Sequence, residues 1–155
     1  MKDYIILVDT REQKKLWNEK LNEVRLKKLD AGDYSISWDN RDFDDKIAIE
    51  RKSLADITST LTSGHTRFKK EIERAKKLDY FAVVVECDYS TFLKGYYRSS
   101  VAGYIVAKIA HTLEIKYGIP FHFCNSRTEA KALIRGLLTA YIREREKLEK
   151  EALRK

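Results

Sequence analysis

Two carboxylates and a lysine stand at strand-like spacing in the first third of the chain: Asp33 in GDYSISW, and Glu50 and Lys52 in IAIERKSLAD. Side chains alternate along a strand, so Glu50 and Lys52 share a face with Ala48, while Ile47, Ile49 and Arg51 take the other. In the preceding segment Asp33, Ser35 and Ser37 share one face, and Tyr34, Ile36 and Trp38 the opposite one. The two apolar sets must coincide on the buried face, which selects one register: Ile36 opposite Ile47, Tyr34 opposite Ile49, Ser35 opposite Ala48, and Asp33 opposite Glu50. Directly opposed Cβ atoms lie about 4.5–5.5 Å apart. Two carboxylates at that distance repel unless a proton or a cation sits between them.

That arrangement suits a divalent metal and a phosphodiester. Carboxylates offer hard oxygen ligands to Mg²⁺ or Mn²⁺, and Mg²⁺ keeps several waters for itself. The metal lowers the pKa of a bound water and neutralises charge developing on the phosphate. The lysine orients that water or stabilises the pentacovalent transition state. The plainer reading of Glu50 and Lys52 alone is a salt bridge on a solvated strand face.

The elements that must position these groups follow from the hydrophobic pattern. YIILVD, apolar on both faces and ending at Asp9, reads as a central strand. TREQKKLWNEKL reads as a short helix or loop, and EVRLKKL as a strand. AGDYSISWD and DKIAIERK form a hairpin around the polar loop 40–44. SLADITSTL and RFKKEIERAKKL are helical, the second keeping Phe68, Ile72, Ala75 and Leu78 on one face. YFAVVVE is a buried strand. A short helix around STFLKGYY precedes a long one from about Ser100 to Tyr117, PFHFC is a last strand, and Ser126 caps a C-terminal helix. The long helix is apolar on more than one side (Val101, Ile105 and Ile109; Ala102, Val106 and Leu113), so it is either deeply buried or forms a subunit interface. The whole reads as a three-layer α/β domain with a mixed sheet over residues 1–142. Residues 143–155 form a charged extension of the last helix, solvated or frayed.

Composition narrows the setting. The 155 residues fit one domain, and 43% hydrophobic with 35% charged residues describe a soluble globular protein. Thirty-one basic against 24 acidic residues give a formal charge of +7, which favours a polyanionic partner. Cys87 and Cys124 are too few for a disulfide framework and lack metal-site spacing, so buried free thiols are expected. The longest apolar region, VAGYIVAKIAHTL, is broken by Lys108 and His111 and falls short of the ~20 residues a membrane span needs. His111 and His122 read as structural. The acidic loop DNRDFDD is no EF-hand, because Arg41 and Phe43 occupy ligand positions.

VDTRE, GDY and IERKSLADI occur in that order, and together they resemble the motifs of the XPF-type structure-specific endonuclease domain. Its pattern of Gly-Asp, a variable stretch and Glu-Arg-Lys-x-x-x-Asp is filled by Gly32, Asp33, Glu50, Arg51, Lys52 and Asp56. The resemblance spans roughly residues 3–142. It implies the restriction-endonuclease-like fold of the PD-(D/E)xK group, a mixed sheet flanked by helices. It also implies that Asp33 and Glu50 are metal ligands and Lys52 the catalytic lysine. Asp9 and Glu12 would join the acidic cluster with direct or water-mediated metal contacts, Arg11 and Arg51 would contact phosphate or brace the acids, and Asp56 would sit in the first turn of the next helix near the centre.

The family's Gly-Arg after that helix is replaced by SGHTRF, so Arg67 or His65 would take that arginine's place. Arg67, Lys69 and Lys70 are candidate DNA contacts, against the alternative of a solvated amphipathic face. Eukaryotic and archaeal relatives carry a tandem helix-hairpin-helix module, whose Gly-x-Gly is absent here. A compact stand-alone nuclease is therefore expected, cytoplasmic in a prokaryotic or viral setting or nuclear in a eukaryote. Because relatives dimerise through this domain, a homodimer is expected. The implied function is a Mg²⁺- or Mn²⁺-dependent endonuclease acting on branched, flapped or nicked DNA in repair or recombination. Alternatives are a non-catalytic DNA-binding scaffold, or a restriction-like or Holliday-junction nuclease with the same centre.

Overall fold

The computed structural model describes residues 3–18 and 23–155. Among them the chain forms a seven-stranded mixed sheet: β1 (Tyr4–Asp9), β2 (Val24–Lys27), β3 (Tyr34–Trp38), β4 (Arg41–Asp42), β5 (Ile47–Lys52), β6 (Tyr80–Val85) and β7 (Phe121–Phe123). The order across the sheet is β2-β1-β3-β5-β6-β7, with β4 pairing β3 off this path. β3 runs antiparallel to both β1 and β5, and β5, β6 and β7 are parallel. Parallel neighbours need long crossovers. These are supplied by α1 (Leu54–Leu61) with α2 (His65–Ala75), and by α3 (Tyr89–Lys94) with α4 (Gly103–Tyr117); α5 (Arg127–Leu153) follows β7.

The two faces of the sheet carry two cores. Ala48, Phe81, Val83 and Val85 pack against Ile57 and Leu61 of α1, Phe68 and Ile72 of α2, and Val106, Ala110 and Leu113 of α4. On the other face Val8, Tyr34, Ile36, Ile47, Ile49 and Val84 meet Ala130, Ile134, Leu138 and Ile142 of α5. This is the expected three-layer arrangement with a mixed sheet. Among the described residues no helix is long and apolar enough to cross a membrane.

The alternation in β3 and β5 sets the pairing register. Tyr34 pairs Ile49 as the buried apolar faces require, and both residues are fully buried. The expected wide loop at 40–44 is instead a tight turn followed by an extra strand. Asp39 and Asn40 have φ of 53° and 57°, the two successive positive values of a type I′ turn, which Asp and Asn tolerate. β4 then pairs Asp42 with Ser37, and Phe43 turns inward to pack edge-on against Tyr141 of α5 at 6.1 Å. Burial of that ring is what a purely polar loop would have forgone.

Other boundaries shift for local reasons. α2 begins at His65, before the expected Arg67, and ends at Ala75. α3 stops at Lys94 because Gly95 takes φ +89°, so Tyr96 and Tyr97 lie in a loop. α4 buries Val106, Ala107, Ala110 and Leu113 but leaves Ile105 41% exposed, so one flank is packed and one is free. α5 remains helical to Leu153, well past its last buried residue, Ile142. Strong helix formers and the pairs Lys147–Glu144 and Lys150–Glu146 sustain it there.

Thr10 to Asn18 contain no helix, and residues 19–22 of the segment expected to continue them lie outside the described residues. The loop is tied down instead. Trp17 is buried edge-on to Tyr34 at 5.3 Å, the Leu16 N–H donates to Tyr34 Oη at 2.9 Å, and Arg127 of α5 donates to the Lys14 and Lys15 carbonyls.

Candidate active site

Strand direction decides where the polar groups gather. β1 and β5 both oppose β3, and β6 follows β5, so the C-terminal ends of β1, β5 and β6 meet the N-terminal end of β3 at one edge of the sheet. Asp9, Glu50, Lys52, Glu86 and Asp33 therefore converge. They line a cleft of about 410 Å³ together with Arg11, Glu12, Gln13, Lys14, Arg51, Ser53, Asp56 and Arg127.

Asp33 is held by its own backbone. Its N–H donates to the Ile49 carbonyl and its carbonyl accepts from the Asp9 N–H, both at 2.8 Å. Gly32 precedes it at φ +76°, where a Cβ would come within 2.9 Å of the Ala48 Cβ. Only glycine fits both the conformation and the space, which explains the Gly-Asp pair. The Arg51 backbone N–H donates to Asp33 Oδ2 at 2.7 Å.

Glu50 is 5% exposed. Burial, the Asp33 charge and a hydrogen bond with Glu71 push its pKa well above the ordinary carboxylate range. Burial, with the Glu12 charge, likewise raises Asp33 to about 7. Lys52 Nζ lies 3.4 Å from Glu50 Oε1. Burial opposes its charge, but Glu50, Asp33 and Glu71 outweigh that and raise its pKa, so Lys52 stays a cation. One ammonium thus faces three carboxyl groups. The pair Asp33 and Glu50 faces across β3 and β5 as the side-chain alternation requires.

The facing carboxyl groups, Glu50 buried and Asp33 half-buried, fit a hard divalent cation. Among the described residues no three His, Cys, Asp or Glu side chains are grouped to hold a metal. A donor set of two carboxylates completed by water remains, which is how Mg²⁺ is commonly bound. Asp33 and Glu50 are the side chains that would hold it.

The remaining expected residues divide by what they touch. Asp9, 4% exposed, accepts from the Leu29 N–H at 2.8 Å and from Arg11 Nε at 3.0 Å, so its oxygens are engaged in holding the loop after β2. Arg11 also donates to the Leu29 carbonyl. Glu12 accepts from Arg51 Nε at 3.2 Å, and Arg51 Nη1 donates to Glu86 at 2.7 Å. The Arg51 side chain lies on the face opposite Glu50 and braces the edge. Asp56 is exposed at the start of α1, on the cleft wall. His65, Arg67, Lys69 and Lys70 lie on α2 outside the residues lining the cleft, with Arg67, Lys69 and Lys70 exposed.

Four charged groups were not anticipated from sequence: Lys14, Glu86 and Arg127, which line the cleft, and Glu71, which stands beside Glu50 and Asp33. Glu71 bonds Glu50 and accepts from the Gly32 N–H at 3.3 Å. It follows Phe68 by three positions, on the inward side of an otherwise charged helix. Glu86 ends YFAVVVE as Glu50 ends its own apolar run, and that parallel was the available signal. Arg127 opens α5 immediately after its Ser126 cap.

Comparison with known proteins gives two results. The family model described as the ERCC4 domain matches residues 8–137. Among solved structures, XPF from Aeropyrum pernix superposes with a TM-score of 0.66 at 23% identity, covering 88% of this chain and 60% of that one. XPF from Aeropyrum pernix in complex with DNA gives 0.69 at 22% identity, covering 92% and 66%. The chain therefore spans 60% and 66% of the lengths of those structures. No match was found among curated proteins.

Proposed function

Since the chain belongs to the ERCC4 domain family, we propose that it is a metal-dependent DNA endonuclease that hydrolyses phosphodiesters in branched, flapped or nicked DNA. The observation that carries this reading is the acid pair, buried Glu50 and half-buried Asp33, facing across two strands with Lys52 Nζ 3.4 Å from Glu50.

In this reading Asp33 and Glu50 hold Mg²⁺ or Mn²⁺, which when bound supplies an activated water and neutralises charge on the phosphate. Lys52 directs its ammonium at the charge growing on the phosphate oxygens. Glu71, bonded to Glu50, holds that carboxyl in place. Arg11, Lys14 and Arg127 line the cleft with cations that can receive the backbone of the DNA. Arg67, Lys69, Lys70 and His65 would act farther along the duplex. A homodimer remains the proposed assembly.

The test is a panel of end-labelled duplex, nicked, flapped and branched DNAs incubated with Mg²⁺, with Mn²⁺ or with chelator. Cleavage of the discontinuous structures in metal alone, lost in Glu50→Ala, supports the reading. Metal-independent cleavage, or undiminished cleavage by Glu50→Ala, overturns the site. Tight binding without any cleavage would favour a scaffold, and cutting that follows sequence would favour a restriction-like enzyme.

A further inference from the structure

Outside the cleft, one feature is both rigidly built and unused. α3 ends at Gly95, φ +89°, and the chain returns at Gly103, the first residue of α4. A Cβ on Gly95 would come within 2.8 Å of the Gly103 nitrogen, and one on Gly103 would overlap the Leu93 carbonyl oxygen and the Gly95 backbone. The base of the loop is thus a backbone-to-backbone contact. Its tip is also closed, by the Ser99 N–H donating to the Tyr96 carbonyl at 2.9 Å and the Val101 N–H donating to Ser99 Oγ at 3.1 Å.

This pinned loop displays aromatic rings and a guanidinium. Tyr96 and Tyr97 stack edge-to-face at 5.1 Å, and Arg98 lies 5.4 Å from the centre of the Tyr97 ring. Tyr97 is 81% exposed, and Tyr104, on the first turn of α4, 59%. An ordered loop holding a large aromatic side chain in water serves nothing in the core.

Topology puts the loop on the catalytic edge of the sheet. α3 is capped by Asp88, shortly after Glu86 of the cleft. α4 must start on that edge because it returns to feed β7, which is parallel to β6. α3 itself is only on the order of 9 Å long. The charge of the region selects the occupant. No acidic residue occurs between Asp88 and Glu114, whereas Lys94, Arg98 and Lys108 do. A second copy related by a twofold axis would bring cation against cation. A strand of unpaired nucleotides offers phosphates to those cations and a flat base to each tyrosine.

We propose that the Gly95–Gly103 loop is a single-strand platform, on which an unpaired nucleotide stacks against Tyr97 while Arg98 and Lys94 meet the adjoining phosphates. For the source of that strand, the proposal rests on the nuclease reading of the cleft. Because the loop is already ordered, little conformational entropy is lost when a base settles on it. The platform then favours substrates in which an unpaired arm leaves the duplex beside the cut.

The test is fluorescence anisotropy with labelled oligothymidine and with blunt duplex, using the full chain in chelator so that nothing is cut. Tyr97→Ala weakens oligothymidine binding on the order of tenfold, and Tyr97→Trp retains it. Arg98→Ala weakens it and flattens its salt dependence, and blunt-duplex binding is unchanged in all three. Equal oligothymidine affinity of wild type and Tyr97→Ala overturns the proposal. So does a Tyr97→Ala protein that loses self-association in light scattering with unaltered DNA affinity, which assigns the loop to a second copy. The two readings fail separately. A chain that never cleaves but shows the Tyr97 effect loses the nuclease reading and keeps the platform; one that cleaves without the Tyr97 effect does the reverse.

Discussion

The Arg51 backbone N–H donates to Asp33 Oδ2 at 2.7 Å, while the guanidinium of the same residue lies on the other face of β5 between Glu86 and Glu12. One residue thus fixes an acid of the centre through its main chain and braces the sheet edge through its side chain. Burial opposes the Arg51 charge, and the two acids more than compensate, raising its pKa. Arg51 is a bracing residue whose partners are already taken, with a further bond from Nη2 to the Lys14 carbonyl at 2.7 Å.

Removing that side chain strands two acids. The Arg51 side chain is 9% exposed, with Glu12 at 12% and Glu86 at 15%, so Arg51→Ala leaves carboxylates without a partner in a largely dry place. The expected loss is about 3 kcal/mol, read as a lowered urea midpoint at unchanged slope. Adding Glu86→Gln should recover part of it. An Arg51→Ala protein as stable as wild type would remove the bracing role.

Glu50→Gln and Asp33→Asn should separate chemistry from folding. Each preserves shape while deleting a charge that the proposed metal would need, so under the proposed function cleavage is expected to fall by about 10²-fold or more. Stability in chelator holds or rises, because an amide replaces a buried acid that resists ionisation. Calorimetric titration with Mn²⁺ should show the binding isotherm lost in both variants. Retained Mn²⁺ binding in Glu50→Gln would move the metal elsewhere.

Acid in the centre makes the metal-free fold sensitive to alkali. Asp33 holds its proton up to about pH 7 in the folded chain, against an ordinary value of 3.8. Between those values the unfolded chain has released a proton that the folded chain keeps, so Asp33 makes stability in chelator fall as pH rises from about 4 to about 7, and Glu50, whose pKa is also raised, adds to the fall. Differential scanning calorimetry should show a lower midpoint at about pH 8 than at about pH 5, with Mg²⁺ raising the midpoint more at the higher pH. A flat profile would mean that the acids are ionised without metal.

Gly32→Ala should damage the site through the backbone alone. The positive φ and the 2.9 Å approach to Ala48 together cost about 2 kcal/mol or more. The same shift moves Asp33 off its bonds to Asp9 and Ile49. Cleavage should therefore drop further than the thermal midpoint suggests, whereas Gly136→Ala, with open space around its Cβ and a helical backbone, should cost nothing or stabilise.

What could be read from residues alone followed from periodicity. β3 and β5 each present one apolar and one polar set, so burying Tyr34 and Ile49 forces Asp33 toward Glu50. Glu71 escaped because RFKKEIERAKK is charged almost throughout, and such a helix gives no sign of which acid turns inward until its rotation against the sheet is known. The same ambiguity covers Arg67, Lys69 and Lys70, whose exposure was legible but whose direction was not. The turn at Asp39 and Asn40 was hidden because Phe43, an apolar residue in a polar stretch, drives the extra strand by packing on Tyr141, about a hundred residues away in the chain.

The pleat of β5 sorts charge to two sides of one cleft. Glu50 and Arg51 are neighbours in the chain, yet the strand turns the carboxyl to one side and the guanidinium to the other, where Glu12 and Glu86 absorb its charge. Had the alternation been broken by one inserted residue, the arginine would sit among the acids and neutralise them permanently. The chain turns its strongest cation away from the acids, and under the proposed function that leaves the place beside them to a metal that comes and goes from solution.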